Sequence, residues 1–171
     1  MSRMNNVFTT EDIKSSIEYK WRKSSVILLS SIYAIVEVVM LFAALIMNLD
    51  DIKYIGLSFQ IWLIVTATYS VIFLPFIAFY CYKMIYLLKN YQRFDSYEVM
   101  LDNVSTSYAY RGAVYYTVVV DVDGERRQVA TNPYFSSGLF ATFTLEDYNN
   151  KKVIGLYDRT KDKFYIVKKI G

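Results

Sequence analysis

Two long apolar stretches separated by a short polar interval dominate the hydropathy pattern of this chain. Ser25 to Leu49 carries one charged residue, Glu37, and Leu57 to Tyr82 carries none. About 20 apolar residues in helical form cross the hydrocarbon core of a bilayer. Each stretch therefore predicts a membrane-spanning helix, and the pair predicts a hairpin. Upstream, Ile13, Ile17 and Trp21 recur every four residues, which predicts an amphipathic helix with one apolar stripe. Thr9 followed by Asp12 is a capping-box pattern, with Phe8 and Ile13 at the flanking staple positions.

From Ser96 onward the period falls to two. Val114, Tyr116, Val118, Val120 and Val122 alternate with Tyr115, Thr117, Val119 and Asp121, a strand pattern rich in β-branched and aromatic residues. Asp123-Gly124 predicts a type I′ hairpin turn, Glu125 to Thr131 the return strand, and Asn132-Pro133 its end. Tyr97 to Val104 predicts a first strand and Leu139 to Leu145 a further one. Lys152 to Tyr157 and Lys163 to Lys168 predict a closing hairpin across Asp158–Asp162. The chain thus reads as an α+β membrane protein, with a two-helix transmembrane hairpin followed by a small antiparallel β-barrel or rolled sheet. Its expected parts are a cytoplasmic amphipathic helix (1–24), the hairpin (25–89, spans about 25–49 and 57–82) and a cytoplasmic β domain (90–171). A domain of roughly 80 residues is near the lower limit for independent folding, so the last part is expected to lean on its anchor, on itself or on a partner.

Lys/Arg bias sets the expected orientation. Arg3, Lys14, Lys20, Arg22 and Lys23 precede the first stretch, Lys53 alone lies between the two beside Asp50 and Asp51, and Lys83, Lys89 and Arg93 follow the second. This predicts a multi-pass protein of the cell membrane with both N- and C-termini cytoplasmic. A cleaved signal peptide is not expected, because the first stretch is long and Asn48-Leu49-Asp50 lacks small cleavage-site residues. Trp21, Tyr54, Trp62 and the Tyr80/Tyr82/Tyr86 group suit interfacial positions. Lys14, Lys20, Arg22 and Lys23 favour helix 1–24 lying on an anionic leaflet, the alternative being a docking helix for a partner.

The absence of His and the single Cys81 remove a structural disulfide, Cys/His zinc sites, and Ser-His-Asp or Cys-His catalysis. No EF-hand spacing, phosphate-binding glycine loop or convergent pair of acids is present, so no cofactor or metal and no enzymatic activity are expected. Cys81 reads as a small buried hydrophobe, with reversible palmitoylation as the alternative. Residues 90–171 hold eleven Lys/Arg against ten Asp/Glu, interspersed, which disfavours nucleic acid as a partner.

Glu37 lies at the midpoint of the first stretch, where an ionisable group is costly and invites a functional role. Antiparallel pairing brings Thr66, Thr68, Tyr69 and Ser70 to the same depth. Glu37, Thr66, Tyr69 and Ser70 are therefore a candidate intramembrane polar site, either closed within the hairpin or offered to a second chain. Pro75 predicts a helix kink. The loop Ser105–Gly112, carrying Tyr108, Tyr110 and Arg111, is a candidate partner-binding loop. Tyr157-Asp158 reads as a core tyrosine followed by an Asp that opens a turn.

Tyr115-Tyr116-x-Val118-x-Val120-x-Val122-Asp123-Gly124, followed by Lys152-Val153-x-x-Leu156-Tyr157-Asp158, resembles a family of bacterial membrane-anchored small β domains of unknown function. The likeness covers about 60 residues of the tail and departs from the family pattern where two prolines would fall, at Arg159 and near Asp162. It implies a fold and no activity, since the matching residues are turn and core positions. Together these features predict a non-enzymatic integral membrane protein whose β domain and Glu37 bind another protein, in an immunity-type or membrane-complex accessory role. The alternative is a ligand-gated membrane effector whose barrel senses a small molecule such as a cyclic nucleotide and drives oligomerisation of the hairpins. The expected partners are the lipid bilayer and either a second protein or another copy of the chain.

Overall fold

The computed structural model describes residues 3–4, 8–46, 55–106, 113–135 and 145–170. The chain forms two compact units, residues 23–83 and residues 1–22 together with 84–171. Helix α2 (Ile17–Ile46) and helix α3 (Ile55–Asn90) carry the two apolar stretches. Both are exposed over their apolar windows and are long and apolar enough to cross a membrane. Within residues 23–83 they pair antiparallel: Tyr33 meets Ser70 and Phe73, and Glu37 meets Thr66. Pro75 lies inside α3, and the helix continues through it. Cys81 is a half-buried free thiol.

The other unit starts with a short strand, β1 (Arg3–Met4), and helix α1 (Thr10–Ser15). The capping box forms as the sequence predicts: the Asp12 amide donates to Thr9 Oγ1 at 3.2 Å, and the Thr9 amide donates to Asp12 Oδ2 at 2.9 Å. The Thr9 amide and the Thr9 hydroxyl, which donates to the same Oδ2 at 2.8 Å, hold the Asp12 carboxyl below its ordinary pKa. The expected single amphipathic helix is broken once. Ser16 is extended (ψ 151°), its Oγ donates to the Ile13 carbonyl at 2.6 Å, and it accepts the Tyr19 amide at 3.2 Å, so it ends α1 and caps α2.

After a 3-10 turn (Tyr91–Arg93) come β2 (Asp95–Met100), β3 (Val104–Thr106), β4 (Ala113–Val122), β5 (Glu125–Ala130), β6 (Tyr134–Phe135), α4 (Leu145–Tyr148), β7 (Lys152–Asp158) and β8 (Lys163–Lys169). They make two antiparallel sheets: one in the order β1-β2-β7-β8, the other β3-β4-β5 with β6 also on β4. A parallel bridge, Thr131 to Phe164, links them. Of the expected barrel or rolled sheet, no closed barrel forms among the described residues, and the strands make two small antiparallel sheets. The expected strand 97–104 is divided, because β2 pairs with β7 and β3 pairs with β4. The expected strand from Leu139 falls outside the described residues up to position 144, and Leu145 opens a helix instead. The hairpin turn is as predicted, with Asp123 at φ 56° and Gly124 at φ 87°.

Alternation along β4 points Val114, Tyr116, Val118, Val120 and Val122 inward, where they meet Tyr97, Val99, Val153, Tyr157, Phe164 and Ile166 of the other sheet. Ile17 joins this core, and Ile13 joins a second cluster with Leu87, Tyr91, Phe94, Leu156, Tyr165 and Val167. Trp21 is likewise buried, with its ring 6.3 Å from that of Phe135. The stripe expected on a leaflet thus lies within the β unit. Burying three such side chains stabilises the docked helix by several kcal/mol, at about 1.5–3 kcal/mol each. The segment 1–22 groups with 84–171 in one compact unit.

Two predictions follow from this packing. A Cβ added at Gly155 would collide with the Phe164 ring and the Tyr165 carbonyl. Gly155→Ala should therefore lower stability by about 1–3 kcal/mol, measured as a shift in denaturation midpoint. Burial also pushes the Tyr116 hydroxyl up to about 12 and drives Tyr134 and Tyr165 upward as well. Each is raised above its unfolded value, so this stabilisation is complete below the ordinary tyrosine range near 10 and disappears as pH rises through about 12 for Tyr116. Alkaline titration should show the tyrosinate absorbance of these residues emerging together with loss of near-UV circular dichroism.

Candidate functional site

Mid-hairpin, the Thr66 hydroxyl donates to Glu37 Oε2 at 2.5 Å. One helical turn away, Tyr33 and Ser70 share a hydrogen bond of 2.8 Å between their hydroxyls. Glu37 is half-buried, as is Ser70. Of the four predicted members, Glu37 and Thr66 therefore meet, Ser70 is held by Tyr33, and Tyr69 stacks on Phe73 (6.0 Å between centroids) while staying 37% exposed. The antiparallel register behind the prediction brings these groups to one level. The role of Tyr33 was missed, although it lies one turn before Glu37, where the same reasoning finds it. The second predicted site, Tyr108, Tyr110 and Arg111, lies outside the described residues.

A more deeply buried polar group lies in the β unit. Glu18, one residue past the start of α2, has a side chain with 0% exposure. Arg22 Nη2 donates to its Oε2 at 2.8 Å, the Tyr134 hydroxyl donates to Oε1 at 2.5 Å, and Asn132 Nδ2 lies 3.2 and 3.3 Å from the two oxygens. The Arg22 guanidinium also sits 5.6 Å from the centre of the Tyr165 ring. Helical spacing of four puts Glu18 and Arg22 on one face. The short β6 strand and Asn132 before it supply the other donors. A buried carboxylate is tolerated only when its charge and lone pairs are met in this way. The sequence offered a weak sign of this group, an acid among the basic residues of 14–23.

The turn after β7 carries a second joint. Asp158 Oδ1 accepts the amides of Thr160 (2.9 Å) and Lys161 (3.3 Å), the turn-opening role its sequence context predicts. Its Oδ2 also accepts the Tyr86 hydroxyl at 2.9 Å, and Lys161 Nζ lies 3.2 Å from the Tyr86 ring centre, so both side chains hold the C-terminal part of α3 against the sheet. Partial burial lowers the Lys161 pKa. Arg159, where the family pattern would have proline, bonds Asp95 at 2.5 Å and Asp123 at 2.8 Å, linking the starts of β2 and the hairpin turn. At 44% exposure that clamp is screened by solvent and contributes little to stability.

Among the described residues no group of three or more Cys, Asp and Glu is placed to hold a metal ion. Among the described acids of the β unit, Glu18 is engaged by Arg22, Asp95 and Asp123 by Arg159, and Asp158 by turn amides. What the arrangement offers chemically is a carboxyl in an apolar hairpin and a rigid small β unit. No protein family, characterised protein or solved structure matches the chain.

The Glu18 cluster yields a sharp expectation. Glu18→Leu or Arg22→Met should each cost about 3–5 kcal/mol, because one member of a buried pair is left uncompensated. The double replacement Glu18→Leu/Arg22→Met should cost less than the sum, which a double-mutant cycle by chemical denaturation measures.

Proposed function

We propose that this chain is a non-enzymatic, multi-pass membrane protein, with both termini cytoplasmic, that binds another protein through its β domain and through Glu37 within the bilayer. An immunity-type or membrane-complex accessory role suits this build. The observation that carries the reading is the half-buried Glu37 carboxyl at the middle of an apolar span, met by one neutral hydroxyl. Such a group is costly in hydrocarbon, and a partner that supplies a second donor stabilises it. Further support comes from the grouping of 1–22 with 84–171, which returns both ends of the hairpin to one folded unit. On this reading the Val122-Asp123-Gly124 hairpin and terminal Leu156-Tyr157-Asp158 strand set the tail beside the bacterial membrane-anchored β domains that it resembles. The core between its sheets is filled by Tyr97, Tyr116, Tyr157 and Phe164, which favours recognition at the surface over a ligand in a lumen.

A photo-crosslinking residue at the exposed position Val38, beside Glu37, tests this in native membranes. The expected outcome is a crosslink to one distinct membrane protein that weakens about five- to thirty-fold in Glu37→Gln, matching about 1–2 kcal/mol for an interhelical hydrogen bond. Crosslinks to copies of the chain alone, or a distinct crosslink indifferent to Glu37→Gln, would contradict the proposal.

A further inference from the structure

Within the unit of residues 1–22 and 84–171, the basic residues that flank the apolar helices fall into two groups that the sequence does not distinguish. Arg22 is consumed inside the β unit by Glu18, with its side chain only 4% exposed, and Lys14 is paired with Glu11 at 3.6 Å. Lys20 on α2, Lys89 in the last turn of α3 and Arg93 in the following 3-10 turn remain exposed. None of the three is in an ion pair among the described residues. The two chain segments that carry them, 19–24 and 83–94, contain no acid at all. The acids next in sequence are already engaged: Glu18 by Arg22 and Asp95 by Arg159.

Residues 19–22 and 84–94 of these segments share one folded unit. Leu87 and Tyr91 pack in one cluster with Ile13, and the hydroxyls of Tyr91 and Thr10 lie 3.2 Å apart. The three free cations therefore sit on the part of the unit from which both apolar helices depart. With the helices in a bilayer, that part lies at headgroup level, within reach of a charged leaflet surface.

We infer that Lys20, Lys89 and Arg93 form a contact surface for anionic phospholipid headgroups, and that Arg22 and Lys14 take no part in it. Lysine and arginine side chains at this level reach lipid phosphates through their ends while their stems stay on apolar surface. Their charge is complementary to an anionic leaflet and, among the described residues, is offset by no acid in an ion pair with them.

The test uses the full chain reconstituted in phosphatidylcholine vesicles containing a minority of phosphatidylglycerol. Spin-labelled versions of each lipid report their relative association with the protein. The expected result is a preference for phosphatidylglycerol of about five-fold, corresponding to about 1 kcal/mol for a headgroup beside one such cation. In K20Q/K89Q/R93Q the preference should fall to near parity, while K14Q retains it. At about 1 M salt, where the screening length shrinks to about 3 Å, the wild type should lose it too. The salt series keeps the test decisive should the triple variant fold poorly. Equal association of the two lipids with the wild type would overturn the inference. So would a preference that survives both neutralisation and high salt, or one that K14Q removes equally.

Discussion

Glu18 and its donors occupy the place where the segment ahead of the first apolar helix meets the β domain, and the rest of the fold is arranged around that meeting. Ile13, Ile17 and Trp21 supply apolar area, the carboxylate fixes the register of the helix against Tyr134 and Asn132, and Arg22 balances the charge. Apolar area alone tolerates sliding or rotation, whereas a fully buried carboxylate with donors from two elements tolerates very little. A domain this small gains from such a contribution. Its own strands bury one modest core, and the N-terminal segment adds a strand edge at β1, two apolar side chains to the two core clusters and a third against Phe135.

The same constraint shapes the hairpin's connection to the β unit. Residues before α2 and after α3 belong to one unit, so the chain leaves that unit and returns to it. On the return side, Tyr86 reaches Asp158 and its ring lies under Lys161. Polar contacts thus hold both departing segments, and the β domain is built from sequence on both sides of the apolar pair. The proposed role depends on this arrangement, because an intramembrane contact at Glu37 and a surface contact on the β domain then belong to one folded chain. The inferred lipid contact draws on the same economy of charge, since the cations kept for protein packing are not available to the leaflet.

Much of the architecture was legible from periodicity. The two apolar helices, the inward and outward sides of β4, the Asp123-Gly124 turn and the Thr9–Asp12 cap are local features, and local rules placed them. The hydroxyl partner for Glu37 was legible because antiparallel pairing of two helices is a simple geometric constraint. What local rules cannot supply is the identity of the surface that an amphipathic stripe covers. Ile13, Ile17 and Trp21 suit a leaflet and a protein core equally well, and only the distant partners Leu87, Tyr165 and Phe135 decide between them. Glu18 was passed over for the same reason, as an acid among basic residues looks solvated until its donors arrive from residues 132 and 134. The choice between barrel and separate sheets likewise rests on long-range pairing: among the described residues, the β8 backbone joins the second sheet at the Thr131–Phe164 bridge and extends no ladder there, although its side chains share the core.

The most direct test is hydrogen exchange on the full chain in lipid nanodiscs, comparing wild type with Ile13→Asp. If α1 and the start of α2 are part of the β domain's core, a charge at Ile13 should loosen β7 and β8, and the amides of 152–158 and 163–169 should exchange faster along with those of 10–22. If the segment instead rests on the leaflet, the same change should free residues 10–22 alone and leave the strands as protected as before, which would contradict the account.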